Sequence, residues 1–186
     1  MERTDRYKNK IITIPNILSF IRLCIIPFIV WFYLAEHNYL VTGLLVILSG
    51  ATDIVDGFIA RQFDMISDVG KVLDPVADKA TQIVVIILLI IDFPLMLIPL
   101  GVSIVKELFM AITGYMIIKK RDIVLGANWH GKLATVIMTI TMILHLVWHG
   151  ILPVMSNITI IVSTALVLLS LMLYAKRNFA YLNRTE

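Results

Sequence analysis

Apolar residues run along this chain in blocks too long for the helices of a soluble core. Six stretches, at 17–35, 39–61, 71–91, 93–118, 132–148 and 151–175, each approach the roughly 20 mostly apolar residues that cross a hydrocarbon layer. The pattern predicts six transmembrane helices, with no stretch left over for a soluble domain. Short turns follow the odd-numbered spans, at 36–38, 92–94 and 149–153, and none of them holds a Lys or Arg. All 16 basic residues fall at the opposite ends or in the inner halves of the spans. The positive-inside rule then places both termini in the cytoplasm of a multi-pass plasma-membrane protein. Before the first span, Arg3, Arg6, Lys8 and Lys10 alternate with Tyr7, Ile11 and Ile12. That pattern suits a short amphipathic juxtamembrane helix on the anionic inner leaflet, and a polar tail is the other reading. One membrane domain is expected over 1–186, with a juxtamembrane segment at 1–14 and a six-helix bundle at 15–178.

Composition agrees: 59% of the residues are apolar and 16% charged, and the mean hydropathy is +0.91. Cys24 is the sole cysteine, so neither a disulfide framework nor a cysteine metal site is available. The formal charge of +3 is small, and no nucleic-acid partner is expected.

Charge placement within the spans changes the picture. The outer halves of spans one to four are cleanly apolar, whereas the inner halves carry Arg22, Asp53, Asp56, Asp74, Asp78, Lys106 and Glu107. A charge at such depth costs at least ~2.5 kcal/mol unless it faces a wet cavity or a partner. A polar chamber open to the cytoplasm follows. Asp53 and Asp56 are three residues apart and Asp74 and Asp78 four apart, so each pair projects from one helix face. Two carboxylate pairs can therefore meet across a helical hairpin. Four carboxylates facing one another need positive charge between them. Oxygen donors without imidazole or thiolate favour a hard ion, Mg²⁺ or Mn²⁺, and such ions commonly share substrate phosphates. Structural pairing with Arg22, Lys79, Lys106 and Lys132 is the alternative. Gly57 and Ala60 leave the helix surface low for a ligand. Arg61 suits phosphate but also snorkelling to the interface, and Gly70 and Pro75 have purely structural readings as well.

The order Asp53-x-x-Asp56-Gly57-x-x-Ala60-Arg61, eight residues, Gly70-x-x-x-Asp74-x-x-x-Asp78 resembles the signature of the CDP-alcohol phosphotransferases, with all eight positions filled. A chance match is on the order of 10⁻¹⁰ per starting point. The resemblance extends over nearly the whole chain and implies the same six-helix membrane fold. It further implies two metal ions held by Asp53, Asp56, Asp74 and Asp78, with Asp78 as general base. Asp53, Asp56, Gly57, Ala60, Arg61, Gly70 and Asp74 would hold the CDP group, at the cytoplasmic face. A homodimer is implied in the same way.

The opening run Ile14 to Arg22 and the run Gly70 to Lys79 look like phosphatidylglycerophosphate synthases and the related cardiolipin synthases. The former are expected to bind acceptor phosphate through an Arg-Glu pair in span four, an Arg two turns later and a Gly-Lys-x-x-Thr at span five. Here those positions read Lys106-Glu107, Gly114 and Gly131-Lys132-Leu133-Ala134-Thr135. Lys106 and Lys132 are the candidate acceptor-phosphate ligands; pairing of Lys106 with Glu107, or snorkelling, competes with that role. Phosphatidyl transfer from CDP-diacylglycerol to glycerol 3-phosphate is the leading expectation, and phosphatidylglycerol as acceptor, giving cardiolipin, is the nearest alternative. An intramembrane prenyltransferase and a cation transporter are readings from other classes. His130, His145 and His149 show no metal spacing and are expected to be solvated or interfacial.

Overall fold

The computed structural model describes residues 13–183 apart from 64, 66, 68, 124 and 127, and the side chains of Arg61, Lys71 and Arg121 also lie outside the description. The expected juxtamembrane helix falls on residues outside it, as does any role of the Arg61 side chain. Six long helices are present among the described residues: α1 Ile14–Leu34, α2 Tyr39–Gln62, α3 Gly70–Asp92, α4 Leu97–Arg121, α5 Trp129–Val147 and α6 Pro153–Asn183. A 3-10 turn at Pro94–Met96 precedes α4, and the described residues contain no strand.

Local chemistry sets the ends. Thr13 caps α1, its hydroxyl accepting the Asn16 N–H at 3.4 Å, and Pro15 sits in the first turn, where no amide hydrogen is needed. Asn38 caps α2 by accepting the Val41 N–H at 3.1 Å. Asp122 ends α4 in the left-handed conformation at φ 54°, which a short polar side chain tolerates better than a branched one.

Among the described residues, five helices are long and apolar enough to cross a membrane. The sixth, α3, is long enough, but every 18-residue stretch of it holds at least three charged residues, because Asp74, Asp78, Lys79 and Asp92 are spread along it. Helix α6 runs eight residues beyond the apolar block that ends at Ala175. No Gly or Pro interrupts it there, and the buried Asn178 ties the extension down, its Nδ2 donating to Thr113 Oγ1 at 2.7 Å.

The chain divides into two compact units. One comprises the residues up to Leu88 together with Leu146–His149; α1 packs on α2 within it. Ile29, Tyr33, Val46 and Val85 are among its buried apolar side chains. Tyr33 meets Tyr39 edge to face, and Tyr39 stacks on His149 with ring centres 3.5 Å apart. The other unit comprises Leu89–His145 and the residues from Gly150, and α4 packs on α6 there. In it His145 is fully buried, with Nδ1 2.7 Å from the Thr141 carbonyl oxygen and Nε2 3.0 Å from Ser156 Oγ. The expectation of a solvated or interfacial His145 is therefore corrected: both ring nitrogens find partners inside, so burial is satisfied without water.

Candidate active site

The first unit gathers its polar side chains around α1. Asn16, Ser19 and Arg22 recur at intervals of three, which keeps them on one side of that helix. Each reaches a different part of the acidic sequence.

Arg22 is 1% exposed and lies between the two carboxylates of α2. Its Nη2 donates to Asp56 Oδ2 at 2.5 Å. Its Nη1 stands 2.8 Å from Asp53 Oδ1, close enough for ion pairing but out of line for a hydrogen bond, and Nε has no hydrogen-bond partner. Asp56 is as deeply buried as Arg22, whereas Asp53 is half exposed. The three-residue step along α2 thus sends one carboxylate inward and the other toward the opening, with the guanidinium fork spanning both.

Ser19, fully buried, joins α2 to α3. Its hydroxyl makes a short hydrogen bond to Asp74 Oδ1 and also lies 3.5 Å from Asp56 Oδ2 and 3.1 Å from the Pro15 carbonyl oxygen. A serine carries one hydroxyl hydrogen, so the short contact to Asp74 takes it. Asn16 completes the set through the loop before α3. Its Nδ2 donates to Ser67 Oγ at 2.9 Å, and the Gly70 N–H donates to the same Ser67 oxygen at 2.9 Å. A Cβ on Gly70 would stand 2.5 Å from Asn16 Oδ1. Glycine is thus required where Asn16 crosses the start of α3, which gives Gly70 a packing duty of its own.

Asp53, Asp56 and Asp74 are brought together by shared partners on α1. Asp78, one turn further along α3 and half-buried, has Gln82 Nε2 3.3 Å from its Oδ1. Gly57 and Ala60 follow on α2, both half-buried. Sequence reasoning counted Arg22 only as a nearby base and missed Asn16, Ser19 and Ser67. The three-residue spacing within 14–22 was the available signal, but a hydropathy average over α1 submerges it.

Among the described residues, no three His, Cys, Asp or Glu side chains are arranged to close around a metal ion. The chemistry of the donors nonetheless suits a divalent cation. One guanidinium against three carboxylates leaves two negative charges uncompensated among these four side chains. All the available ligand atoms are oxygens, which select hard ions.

In the second unit Lys106 is buried and pairs with Glu107, Nζ to Oε1 at 3.3 Å, while Lys132 is exposed. A Cβ at Gly114 would meet nothing within 4 Å, so open space stands where a second span-four cation was expected. The loop into α5 is clasped by α6. Tyr174 Oη accepts the Asn128 N–H at 3.0 Å, and Arg177 Nη1 donates to the Gly126 carbonyl at 2.8 Å. A side chain at Gly131 would collide with the Tyr174 hydroxyl, so this close approach also demands glycine.

Comparison with known proteins adds a second line of observation. A family model described as CDP-alcohol phosphatidyltransferase matches residues 12–175. The CDP-diacylglycerol--glycerol-3-phosphate 3-phosphatidyltransferase of Aquifex aeolicus is 31% identical over 172 residues, covering 89% of this chain and 96% of that protein. The protein of the same name from Wigglesworthia glossinidia brevipalpis is 32% identical over 170 residues, covering 88% of this chain and 93% of its own length. A cardiolipin synthase (CMP-forming) / mitochondrial hydrolase fusion protein of Schizosaccharomyces pombe is 43% identical over 72 residues, 39% of this chain and 12% of that protein.

Proposed function

Because the chain belongs to the CDP-alcohol phosphatidyltransferase family, we propose that it transfers the phosphatidyl group of CDP-diacylglycerol to glycerol 3-phosphate, forming phosphatidylglycerophosphate and CMP. The supporting observation is coverage. Likeness to the two glycerol-3-phosphate transferases spans 88–89% of the chain, whereas likeness to the fission-yeast cardiolipin synthase fusion protein spans 39%.

In this reading Asp53, Asp56, Asp74 and Asp78 hold two Mg²⁺ or Mn²⁺ ions, whose charge offsets that of the diphosphate when bound. Gly57, Ala60 and Gly70 let the nucleotide lie close to the helix backbones, and Arg61 adds forked donors for its phosphates. Asp78 accepts the proton of the acceptor hydroxyl. The hydroxyl oxygen bonds to the lipid-linked phosphorus, the bond from that phosphorus to the CMP oxygen breaks, and CMP leaves with the electron pair. Lys106 and Lys132 attract the phosphate of the acceptor. Helices α1 to α6 form one six-span domain, α3 crossing as the polar sixth helix. Both termini face the cytoplasm of the plasma membrane, and the enzyme is a homodimer.

An acceptor screen tests the assignment. Purified protein with CDP-diacylglycerol and Mg²⁺ is expected to release CMP with glycerol 3-phosphate. Release only with phosphatidylglycerol would reassign the enzyme to cardiolipin synthesis, and release with neither would end the transferase reading.

A further inference from the structure

The reading of the acidic cluster as a divalent-metal site leaves Arg22 without a role, yet Arg22 is the most deeply placed charge in the first unit. It is 1% exposed, engages both α2 carboxylates, and keeps Nε without a hydrogen-bond partner. A permanent structural ion pair has its donors satisfied, because each unsatisfied buried one is costly. Arg22 is an incomplete fit of that kind. One fork nitrogen makes a tight hydrogen bond to Asp56, the other faces Asp53 out of line, and the third nitrogen is idle.

We propose that Arg22 is a positioning residue that serves as the built-in counter-cation of the cluster, holding Asp53 and Asp56 side by side while no divalent ion is bound. This rests on the proposed metal role of those aspartates. Without positive charge the carboxylates of α2 repel each other and the nearby Asp74, and α2 would lose its register against α1. Arginine suits the duty for two reasons. Its charge is never lost at physiological pH, and its planar fork spans two carboxylates one helical step apart, which the point charge of lysine does not. Ser19 and Asn16 extend the same face of α1 to Asp74 and to the start of α3, so α1 supplies the partners that gather the cluster.

The consequence is that metal and guanidinium are partly interchangeable as sources of stability. Wild-type protein, Arg22→Gln and Arg22→Lys, purified in detergent micelles, are compared by thermal unfolding in EDTA and in millimolar Mg²⁺. The wild-type midpoint is expected to move little between the two conditions. Arg22→Gln is expected to unfold about 10 °C lower in EDTA, the shift for losing one partner of a buried ion pair in a chain of this size, and to regain at least half of that in Mg²⁺. Arg22→Lys should fall between. An equal loss in both conditions, or no loss in either, overturns the proposal. If Arg22→Gln does not fold even with Mg²⁺ throughout, Arg22→Lys decides: a gap between EDTA and Mg²⁺ no wider than that of the wild type overturns the proposal. Unfolding does not depend on turnover, so this result stands apart from the acceptor screen.

Discussion

The two compact units bury polar groups in opposite ways. In the first, charged side chains are buried nearly as deeply as the neutral Ser19 and Thr42: Arg22 and Asp56, joined by Asp53 of α2 and Asp74 of α3. In the second the buried polar groups are mostly neutral and bond to neutral partners, as Asn178 to Thr113, His145 to Ser156 and Tyr174 to the Asn128 amide. Neutral pairs of this kind each contribute about 0.5–1.5 kcal/mol and serve to clasp helices. Converging carboxylates gain nothing comparable for the fold and are kept where charge itself is used. Among the described residues Lys106 is the exception in the second unit, buried and ion-paired with Glu107.

Substitutions that sharpen this contrast differ in size and in what they move. The largest effect is expected from Asp78→Asn, which removes the proposed proton acceptor while keeping the side chain's shape. CMP release should fall about 10²–10⁴-fold, with little change in unfolding midpoint. Retained CMP release would remove Asp78 from the chemistry. Gly70→Ala comes next. Its new Cβ must displace Asn16, so overpacking of about 1–3 kcal/mol should lower the midpoint, and activity should fall with it because the start of α3 shifts. The smallest is Asn178→Ala in the second unit. Loss of its hydrogen bonds to Thr113 and from Arg177 should lower the midpoint by about 4–8 °C, read by thermal unfolding, and leave the rate of CMP release nearly untouched. A large activity loss there would erase the distinction between the units.

How far these features could be read in advance depends on the length over which each signal is written. Helices α2 and α3 were placed to within a residue or two, because apolar blocks of that length bounded by an Asn cap at 38 and a Pro at 94 leave few alternatives. The far end of α6 was not, because hydropathy drops at Lys176 although the backbone continues as helix, held by Asn178 and Arg177. The spacing of Asp53, Asp56, Asp74 and Asp78 revealed the acidic faces, but not that α1 supplies their partners. Which helix stands beside a carboxylate is a tertiary fact, and Ser19 looks like any small residue in an apolar span. The burial of His145 escaped for the same reason. The adjacency of Lys106 and Glu107 was legible as a possible ion pair, and the structure contains that pair.

Pro27 lies inside α1, beyond Arg22 and before the buried Ile29 and Tyr33. With no amide hydrogen to offer the Leu23 carbonyl, it interrupts the ladder of backbone bonds midway along the helix. Without that bond α1 bends more readily at this point than elsewhere, between the half that grips the aspartates and the half that carries Ile29 and Tyr33.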